Sequence, residues 1–139
     1  MTVSRALIEW LYGFGNIDVS ERIDTEALAA DAQSLGLYKS PQTVVRAYVD
    51  GSRNVTAHYQ FLVKQGAQTN AERVESHAWM EALERWVREQ DMARLLPVLD
   101  EGRECSRVFV ASSFYMASHE GEEAVYQLSL GIQYMERVG

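Results

Sequence analysis

The residues of this chain that could do chemistry are few and widely spaced. Its one cysteine, Cys105, would need a neighbouring base to act as a nucleophile, and the candidates are His58, His77 and His119. No local signature supports a cysteine–histidine pair, and the histidines lack a metal-ligand spacing such as His-Glu-x-x-His. The pattern favours a small core or strand-end thiol and solvated histidines, with no metal site.

The acidic pair Glu122 and Glu123 is the remaining candidate for acid–base work. Side chains at adjacent positions of a strand point to opposite faces, so the two carboxylates would not act on one substrate. We expect these two glutamates to lie in a solvated turn. We therefore predict that the chain is not an enzyme, has no catalytic residue and holds no cofactor.

The composition describes one globular domain spanning residues 1–139, of which 47% are hydrophobic. A formal net charge of −7 and only two lysines argue against tight nucleic-acid binding, because phosphate contacts need clustered Lys and Arg. The apolar runs are far shorter than the roughly 20 residues of a membrane-spanning helix, and the N-terminus lacks a basic-then-apolar signal pattern. We expect an intracellular protein, or a part of an assembly built there.

The chain begins with the pattern of a short amphipathic helix that Gly13 can end. Its apolar stripe, which needs a packing partner, consists of Val3, Ala6, Leu7, Trp10 and Leu11.

Residues 16–32, including the alanine-rich stretch Glu26–Ala32, are predicted to be turn or loop. The alternation of Leu35 and Leu37 then predicts a short strand from Gln33 to Lys39, closed by Ser40-Pro41.

A β-hairpin is the clearest pattern in the middle of the chain. Its arms, Thr43–Val49 and Val55–Lys64, flank the turn-forming tract Asp50-Gly51-Ser52-Arg53-Asn54. The second arm alternates, so that one side is buried and the other solvated, with Leu62 as an exception on the polar side. The predicted buried residues are Val55, Ala57, Tyr59, Phe61 and Val63.

A long helix follows, starting at the capping-box spacing of Thr69 and Glu72 and running to about Met92. Glu84 and Arg88 are predicted to pair on its outer face. Its apolar sector spans about 220°, which is wider than one sheet contact needs, so something else should cover its second side. The sector comprises Ala71, Val74, Ala78, Trp79, Met80, Ala82, Leu83, Trp86 and Val87.

The alternating pattern in the last third of the chain predicts a second, longer hairpin, with arms Cys105–Ser118 and Glu122–Arg137 joined at His119-Glu120-Gly121. The order of elements indicates an α+β fold, in which a mostly antiparallel sheet of two hairpins packs against an N-terminal helix and one long central helix.

Five segments stand out by their order and spacing: Val45-Arg46-Ala47-Tyr48-Val49-Asp50-Gly51-Ser52, Tyr59-Gln60-Phe61, Trp79 to Trp86, Leu95-Leu96-Pro97-Val98-Leu99 and Tyr126-Gln127-Leu128. Together they resemble the bacteriophage minor capsid or tail-terminator proteins of tailed phages and prophages of Gram-positive bacteria. The resemblance covers nearly the whole chain, up to Tyr134, and includes no catalytic motif. The sequence departs from the family around Asp24 to Ser34, where an alanine-rich stretch replaces a tighter loop.

The resemblance implies a structural role in the virion, assembled in the cytoplasm of the bacterial host. Subunits of such proteins form a ring, typically a hexamer, that caps the tail tube, stops its polymerisation and presents a surface to the head–tail connector. The expected partners are copies of the chain itself, the tail-tube protein and the connector, and DNA is expected to pass through the ring lumen without specific binding. Another head–tail or minor virion component, or a small α+β ligand-binding domain, stays open as an alternative.

A ring requires contacts between two different patches of neighbouring subunits. The surplus apolar sector of the long helix and Leu62, the apolar exception on the polar side of its strand, predict one such patch. On this hypothesis Leu83→Asp leaves a folded monomer that cannot form a ring. The alternative is that Leu95–Leu99 folds back and covers the helix within the subunit. The predicted interface residues are Leu62, Trp79, Met80, Leu83 and Val87.

Overall fold

The computed structural model describes residues 2–15, 17, 23–25 and 35–137. In these residues two helices cover one face of a five-stranded sheet, and one hydrophobic core joins them to it. The elements in chain order are α1 (Val3–Leu11), β1 (Ile23–Thr25), β2 (Leu35–Ala47), β3 (Arg53–Gly66), α2 (Asn70–Met92), β4 (Arg103–Glu120) and β5 (Glu123–Glu136).

The strand order across the sheet is β1-β2-β3-β5-β4. The pairs β2–β3, β3–β5 and β5–β4 are antiparallel, and only the short β1 runs parallel to its neighbour β2. The predicted α+β fold with a mostly antiparallel sheet is therefore confirmed. The last hairpin inserts β5 beside β3, which leaves β4 at one edge of the sheet and β1 with β2 at the other.

The N-terminal helix forms as its apolar spacing predicts. Thr2 caps it, because the Thr2 side chain accepts a hydrogen bond of 3.1 Å from the backbone N–H of Arg5. The apolar stripe finds its partner in the core, and Trp10 packs against Trp86 of α2 with ring centroids 4.5 Å apart. The buried members of the stripe are Val3, Ala6, Leu7 and Leu11.

The first hairpin is confirmed, and the residues predicted to be buried on its second arm are all buried. The turn is held by Asp50, whose carboxylate accepts hydrogen bonds from the hydroxyl and the backbone N–H of Ser52 at 2.6 and 2.9 Å. These two bonds lower the pKa of Asp50 below its usual value. Gly51 supplies a φ of 91°, which the turn requires and other residues adopt at a cost.

Two predictions near the start of the sheet are wrong. The strand from Gln33 does not close at Ser40-Pro41, because β2 continues to Ala47. The register with β3 shifts between Lys39 and Thr43, and such an irregularity on an outer strand tolerates a proline that cannot donate to the ladder.

The stretch predicted to be turn or loop contains β1, which pairs with Leu35–Leu37 of β2. Three residues are too few for a periodic pattern to indicate a strand. The alanine-rich Glu26–Ala32 and the first residue of the predicted strand, Gln33, lie outside the described residues.

The long helix begins and ends as predicted. Thr69 is its N-cap and accepts a hydrogen bond of 3.1 Å from the backbone N–H of Glu72. The chain leaves the helix at Arg94, whose φ of 61° is left-handed.

The apolar sector of α2 is covered on two sides. Met80, Leu83 and Val87 point into the core, while Trp79 and Trp86 contact Phe14, which follows α1, at ring-centroid distances of 5.4 and 5.7 Å. The rest of the predicted sector is exposed or half-buried: Ala71, Val74, Ala78 and Ala82.

The second hairpin is also confirmed, with its turn at Gly121–Glu122. Its strands differ, because β5 alternates regularly whereas β4 shifts register against it four times. These irregularities give β4 18 residues against the 14 of β5. The buried residues of β5 are Ala124, Tyr126, Leu128, Leu130, Gly131, Ile132 and Tyr134.

Candidate subunit interface

Cys105 is a buried residue of the core, as the sequence favours. Its side chain is 8% exposed, and its Sγ donates to the carbonyl oxygen of Arg107 at 3.6 Å. Burial raises the pKa of the thiol to about 11, because the charged thiolate is poorly solvated there. The thiol is therefore protonated near neutral pH and is not an activated nucleophile.

The three histidines lie on three different elements and make separate contacts. His58 on β3 lies edge-on to Phe109 at 6.3 Å, and His77 on α2 lies edge-on to Tyr126 at 5.6 Å. His119 is exposed near the end of β4. Among the residues that the structure describes, no group of three His, Cys, Asp or Glu side chains is arranged to hold a metal ion.

The predicted interface patch on α2 is wrong for three of its residues. Met80, Leu83 and Val87 are each 0% exposed in the single chain, because they fill the space between α2 and the sheet. The sheet and Phe14 cover one side of the wide apolar sector, while Val74 and Ala78 on its other side are exposed. Met80, Leu83 and Val87 therefore have no surface to offer a neighbour.

The other two predicted residues, Leu62 and Trp79, are half-buried but lie on opposite sides of the sheet. Leu62 alternates with the buried Phe61 and Val63, so it points away from the helices, whereas Trp79 packs on the helix side against Phe14. The structure does not bring them together, so they cannot form one patch.

The alternative role for Leu95–Leu99 is supported in part. Leu96 and Leu99 pack against the core cluster, and the backbone carbonyl of Leu95 accepts a hydrogen bond of 2.8 Å from the Trp10 indole N–H. Leu95 and Val98 stay exposed. The segment therefore closes the core beside α1 within one subunit.

The edge strand β4 is covered by α2 over its middle part. The Asp91 carboxylate accepts the backbone N–H of Val108 at 2.9 Å, and the Glu84 carboxylate accepts the backbone N–H of Phe114 at 2.7 Å. The Arg94 guanidinium donates to the carbonyl of Ser106 at 2.7 Å. Side chains of α2, together with Arg94 just after its end, thus satisfy edge groups that another strand would otherwise pair.

This cover corrects a sequence prediction, because Glu84 does not pair with Arg88 on the outer face of the helix. Its carboxylate turns to β4, where it also accepts the Ser113 hydroxyl at 2.7 Å. Two donors fixed at one carboxylate outweigh a solvated ion pair, which contributes little.

Beyond this cover, no strand or helix side chain of the described residues pairs with the outer side of the end of β4. Tyr115 is 54% exposed, and Ala117–Glu120 are exposed. The adjoining turn is acidic: Glu120 lies directly opposite Glu123 in the register, and Glu122 lies between them in sequence. Lys64 pairs with Glu123 at 3.1 Å.

At the other edge of the sheet, β2 is open from Tyr38 to Ala47. Within the described part of the chain, no strand pairs with its outer side beyond Leu37, where β1 ends. The side chains of Val44 and Val45 are 65% and 45% exposed, and Val49 in the following turn is fully exposed. The sequence prediction missed this surface, although the run Thr43–Val49 has apolar residues on both faces, which is unusual for a solvated edge.

The sheet face away from the helices carries a layer of amide side chains. Gln127 donates to Gln60 at 2.9 Å, Gln60 donates to Ser129 at 3.3 Å, and Gln133 donates to Asn54 at 3.1 Å. These side chains hydrogen-bond to one another and make a polar surface on this face of the sheet.

Beside this layer, the tip of the Phe109 ring lies over Gly131, where a Cβ atom would clash with it. The Arg107 guanidinium lies 4.4 Å from the centre of the Phe109 ring. Arg107, Phe109 and Gly131 of the neighbouring strands β4 and β5 thus form a stack in which they contact one another.

Comparison with protein-family models found no match to this chain, and neither did comparison with curated proteins. Neither α1 nor α2, the helices of the described residues, has the length and apolar character needed to span a membrane.

Proposed function

We propose that this chain is a structural subunit of a tailed-phage or prophage virion, similar to tail terminators. It forms a ring that caps the tail tube, stops its polymerisation and provides the surface for joining the head. The ordered segments that resemble this family support the proposal, and so does the agreement between the expected α+β fold and the observed sheet with its two helices.

The observation that carries the proposal is the pair of open sheet edges. A closed ring needs each subunit to offer two different surfaces, one to each neighbour. In the part of the chain that the structure describes, the outer side of β2 beyond Leu37 and the far end of β4 are two such surfaces on opposite edges of one sheet. The Cys105 thiol is not activated, and the described residues contain no metal cluster that competes with this structural interpretation.

The acidic balance is compatible with a ring through which DNA passes. The net charge of −7 makes the surface repel a phosphate backbone, so a genome moving through the lumen would not adhere. The ring would act in the host cytoplasm during assembly and stay in the virion at the head–tail junction.

The test combines native mass spectrometry with negative-stain imaging of the purified chain, with and without tail-tube subunits. We expect closed rings, or caps confined to tube ends together with shorter tubes. Tubes are included because binding to a tube end shifts the equilibrium from free monomers toward the ring. A closed dimer that leaves tube length unchanged would refute the proposal.

The position in the particle separates the proposed role from its nearest alternative. Immunogold labelling at the upper end of the tail would support a terminator, whereas labelling elsewhere in the virion would indicate another head–tail or minor capsid component. A ligand-binding domain would give neither pattern. A hollow of about 570 Å³ beside α1 does not favour that alternative, because the charged residues that line it, Arg5 and Glu9, pair with each other at 3.4 Å.

A further inference from the structure

We propose that residues 44–48 of β2 pack against residues 101–104, at the start of β4, in a second copy of this chain, with Arg46 of one copy beside Glu104 of the next. The two copies would lie side by side through opposite edges of their sheets. This inference deepens the proposed ring and rests on it, and it narrows the surface that receives β2 to the first residues of β4.

Arg46 and Glu104 lie level with each other at opposite edges of the sheet. Arg46 pairs with Asn54 of β3, and Asn54 pairs with Met135 of β5. Met135 in turn pairs with Glu104 of β4. Residues paired directly across strands share one face of a sheet, and the neighbouring Val55 is buried under the helices, so this row lies on the other face.

The two charged side chains cannot meet within one chain. Three strand spacings, or roughly 14 Å, separate Arg46 from Glu104. In a neighbouring copy of the same orientation, however, the row continues directly, and Arg46 comes to the outer side of Glu104 with no shift along the strands. The far end of β4 does not meet this condition, because Glu120 is level with Glu123, twelve residues of β5 and roughly 40 Å from Met135.

The β2 edge carries a positive charge that its own chain does not neutralise. Residues 35–49 contain no Asp or Glu. The exposed Arg46 has no carboxylate partner among the described residues, and its guanidinium lies 5.9 Å from the centre of the Tyr48 ring. The nearby Asp50 does not change this, because its carboxylate turns back to the hydroxyl and N–H of Ser52.

The start of β4 carries the opposite charge. Asp100 pairs with Arg103 at 2.6 Å, whereas the exposed Glu101 makes no ion pair with any described residue. Glu104 has Arg137 at 3.6 Å, but both side chains are at least 70% exposed, so this pair is loose. A carboxylate has room for a second guanidinium. Placing Arg46 here gives the surplus carboxylate of this surface a partner.

A hollow beside the start of β4 has room for Tyr48. Tyr48 is 40% exposed and lies on the same side of β2 as Arg46. It pairs with Ser52 through a hydrogen bond of 2.9 Å, and Gly102 pairs with Arg137 through one of 2.6 Å. The register of β3 with β5, extended by one residue, makes these two pairs level. Tyr48 of one copy therefore faces Gly102 of the next, in a hollow of about 400 Å³ lined by residues 99–104 and Arg137.

Charge also argues against contacts between like edges. Two β2 edges would bring the Arg46 guanidiniums of both copies together, with no carboxylate in residues 35–49 to separate them. Two β4 starts would bring the unpaired Glu101 carboxylates together. The contact between unlike edges is heterologous, and it propagates to a ring or a filament.

The first experiment swaps the charges. Arg46→Glu and Glu104→Arg should each weaken self-association on the order of tenfold, because an attraction becomes a repulsion, and the double variant should associate more tightly than either. Sedimentation velocity over a concentration series measures this. Arg88→Glu on α2 and Glu120→Arg at the far end of β4 are exposed controls and should leave association unchanged. The proposal is overturned if the double variant is as weak as the single ones, or if neither single variant differs from wild type.

A second experiment detects the contact even where association is weak. Arg46→Lys keeps the charge and adds an amine, which a carbodiimide can couple to a carboxylate that touches it. In a mixture of isotope-labelled and unlabelled chains, mass spectrometry should find the amine at position 46 joined to Glu104 or Glu101 of a different chain. Adding Glu104→Gln should abolish the first of these links. Inter-chain links from position 46 to Glu120 instead, or none at high protein concentration, would overturn the proposal.

Both experiments use the chain without tail tubes, so their failure is distinct from failure of the proposed function. Loss of tube capping with an intact contact between Arg46 and Glu104 would remove the terminator role and leave the interface standing. Rings on tube ends whose formation is indifferent to Arg46→Glu and Glu104→Arg would keep the role and remove this interface.

Discussion

The carboxylate of Glu84 accepts the backbone N–H of Phe114 at 2.7 Å, joining the middle of α2 to the outer edge of β4. The same oxygen accepts the hydroxyl of Ser113 at 2.7 Å. A charged acceptor with two donors is among the stronger hydrogen-bond arrangements in a protein. Through this contact the helix both holds the long strand and denies its edge to other strands.

Replacing Glu84 should therefore loosen the edge of β4. Glu84→Ala leaves two donors without their acceptor and should lower the free energy of unfolding by about 1–3 kcal/mol, measured by urea denaturation. Glu84→Gln keeps a carbonyl oxygen in place and should cost less. Amide exchange at Phe114 should accelerate more in the Ala variant. Equal stability of both variants and wild type would show that the contact contributes nothing.

Leu83→Asp tests the corrected position of this leucine. Because Leu83 is 0% exposed between α2 and the sheet, a carboxylate there has no solvent or partner, and we expect loss of the folded monomer. Leu83→Ala should cost about 2–5 kcal/mol. Val74→Asp on the same helix is the control, since Val74 is 60% exposed and should tolerate the change. A cooperative, folded Leu83→Asp monomer by circular dichroism would contradict the assigned burial.

Gly131→Ala should be destabilising because the new methyl group would clash with the Phe109 ring. We expect a loss of about 1–3 kcal/mol in thermal or urea unfolding, as for other overpacked sites. In the Phe109→Ala background the same change should cost clearly less, giving a non-additive double-mutant cycle. Gly15→Ala, with open space at its Cβ, is the control. Strict additivity would show that the two positions do not interact.

Cys105 should react slowly with thiol reagents in the folded protein. Its pKa of about 11 reduces the thiolate fraction at pH 8 on the order of 100-fold relative to an ordinary thiol, before any effect of access. Labelling by a maleimide, followed by mass spectrometry, should be fast only after denaturation. Rapid labelling of the native chain would contradict the burial of this side chain.

Asp50 should make a small acid-dependent contribution to stability. Its pKa is lowered in the folded chain by the hydroxyl and N–H of Ser52, so its contribution is present above the unfolded pKa and is lost as pH falls through the folded pKa. The difference in stability between wild type and Asp50→Ala should therefore shrink as the pH drops below about 4. A difference that persists unchanged at acid pH would assign the effect to turn geometry instead.

The alternating and capped segments were predictable from sequence to within a few residues. The hairpin arms around Gly51 and the alternation from Ala124 to Tyr134 follow from a period of two, and the start of α2 follows from the spacing of Thr69 and Glu72. These patterns are local, so neighbouring residues contain the information. The prediction failed at β1 and at Pro41, where pairing with a distant strand outweighs a weak local preference.

The candidate interface was less predictable than the fold. Leucine and methionine at helical spacing indicate that a face is covered, but not whether the cover comes from the same chain. Met80, Leu83 and Val87 are covered by their own sheet, and the open surfaces turned out to be strand edges. Edge position depends on the order β1-β2-β3-β5-β4, which no local pattern encodes.

The sequence by itself determined the local elements of this protein: the capped helices, the turns and the alternating strands, because these arise from contacts between residues close along the chain. Tertiary structure alone decided which strands lie at the edges, that Glu84 turns from the helix surface to β4, and that Met80, Leu83 and Val87 of α2 are covered by the sheet. The physical reason is that burial and edge exposure depend on groups far apart in sequence, whose positions are set only when the whole sheet assembles.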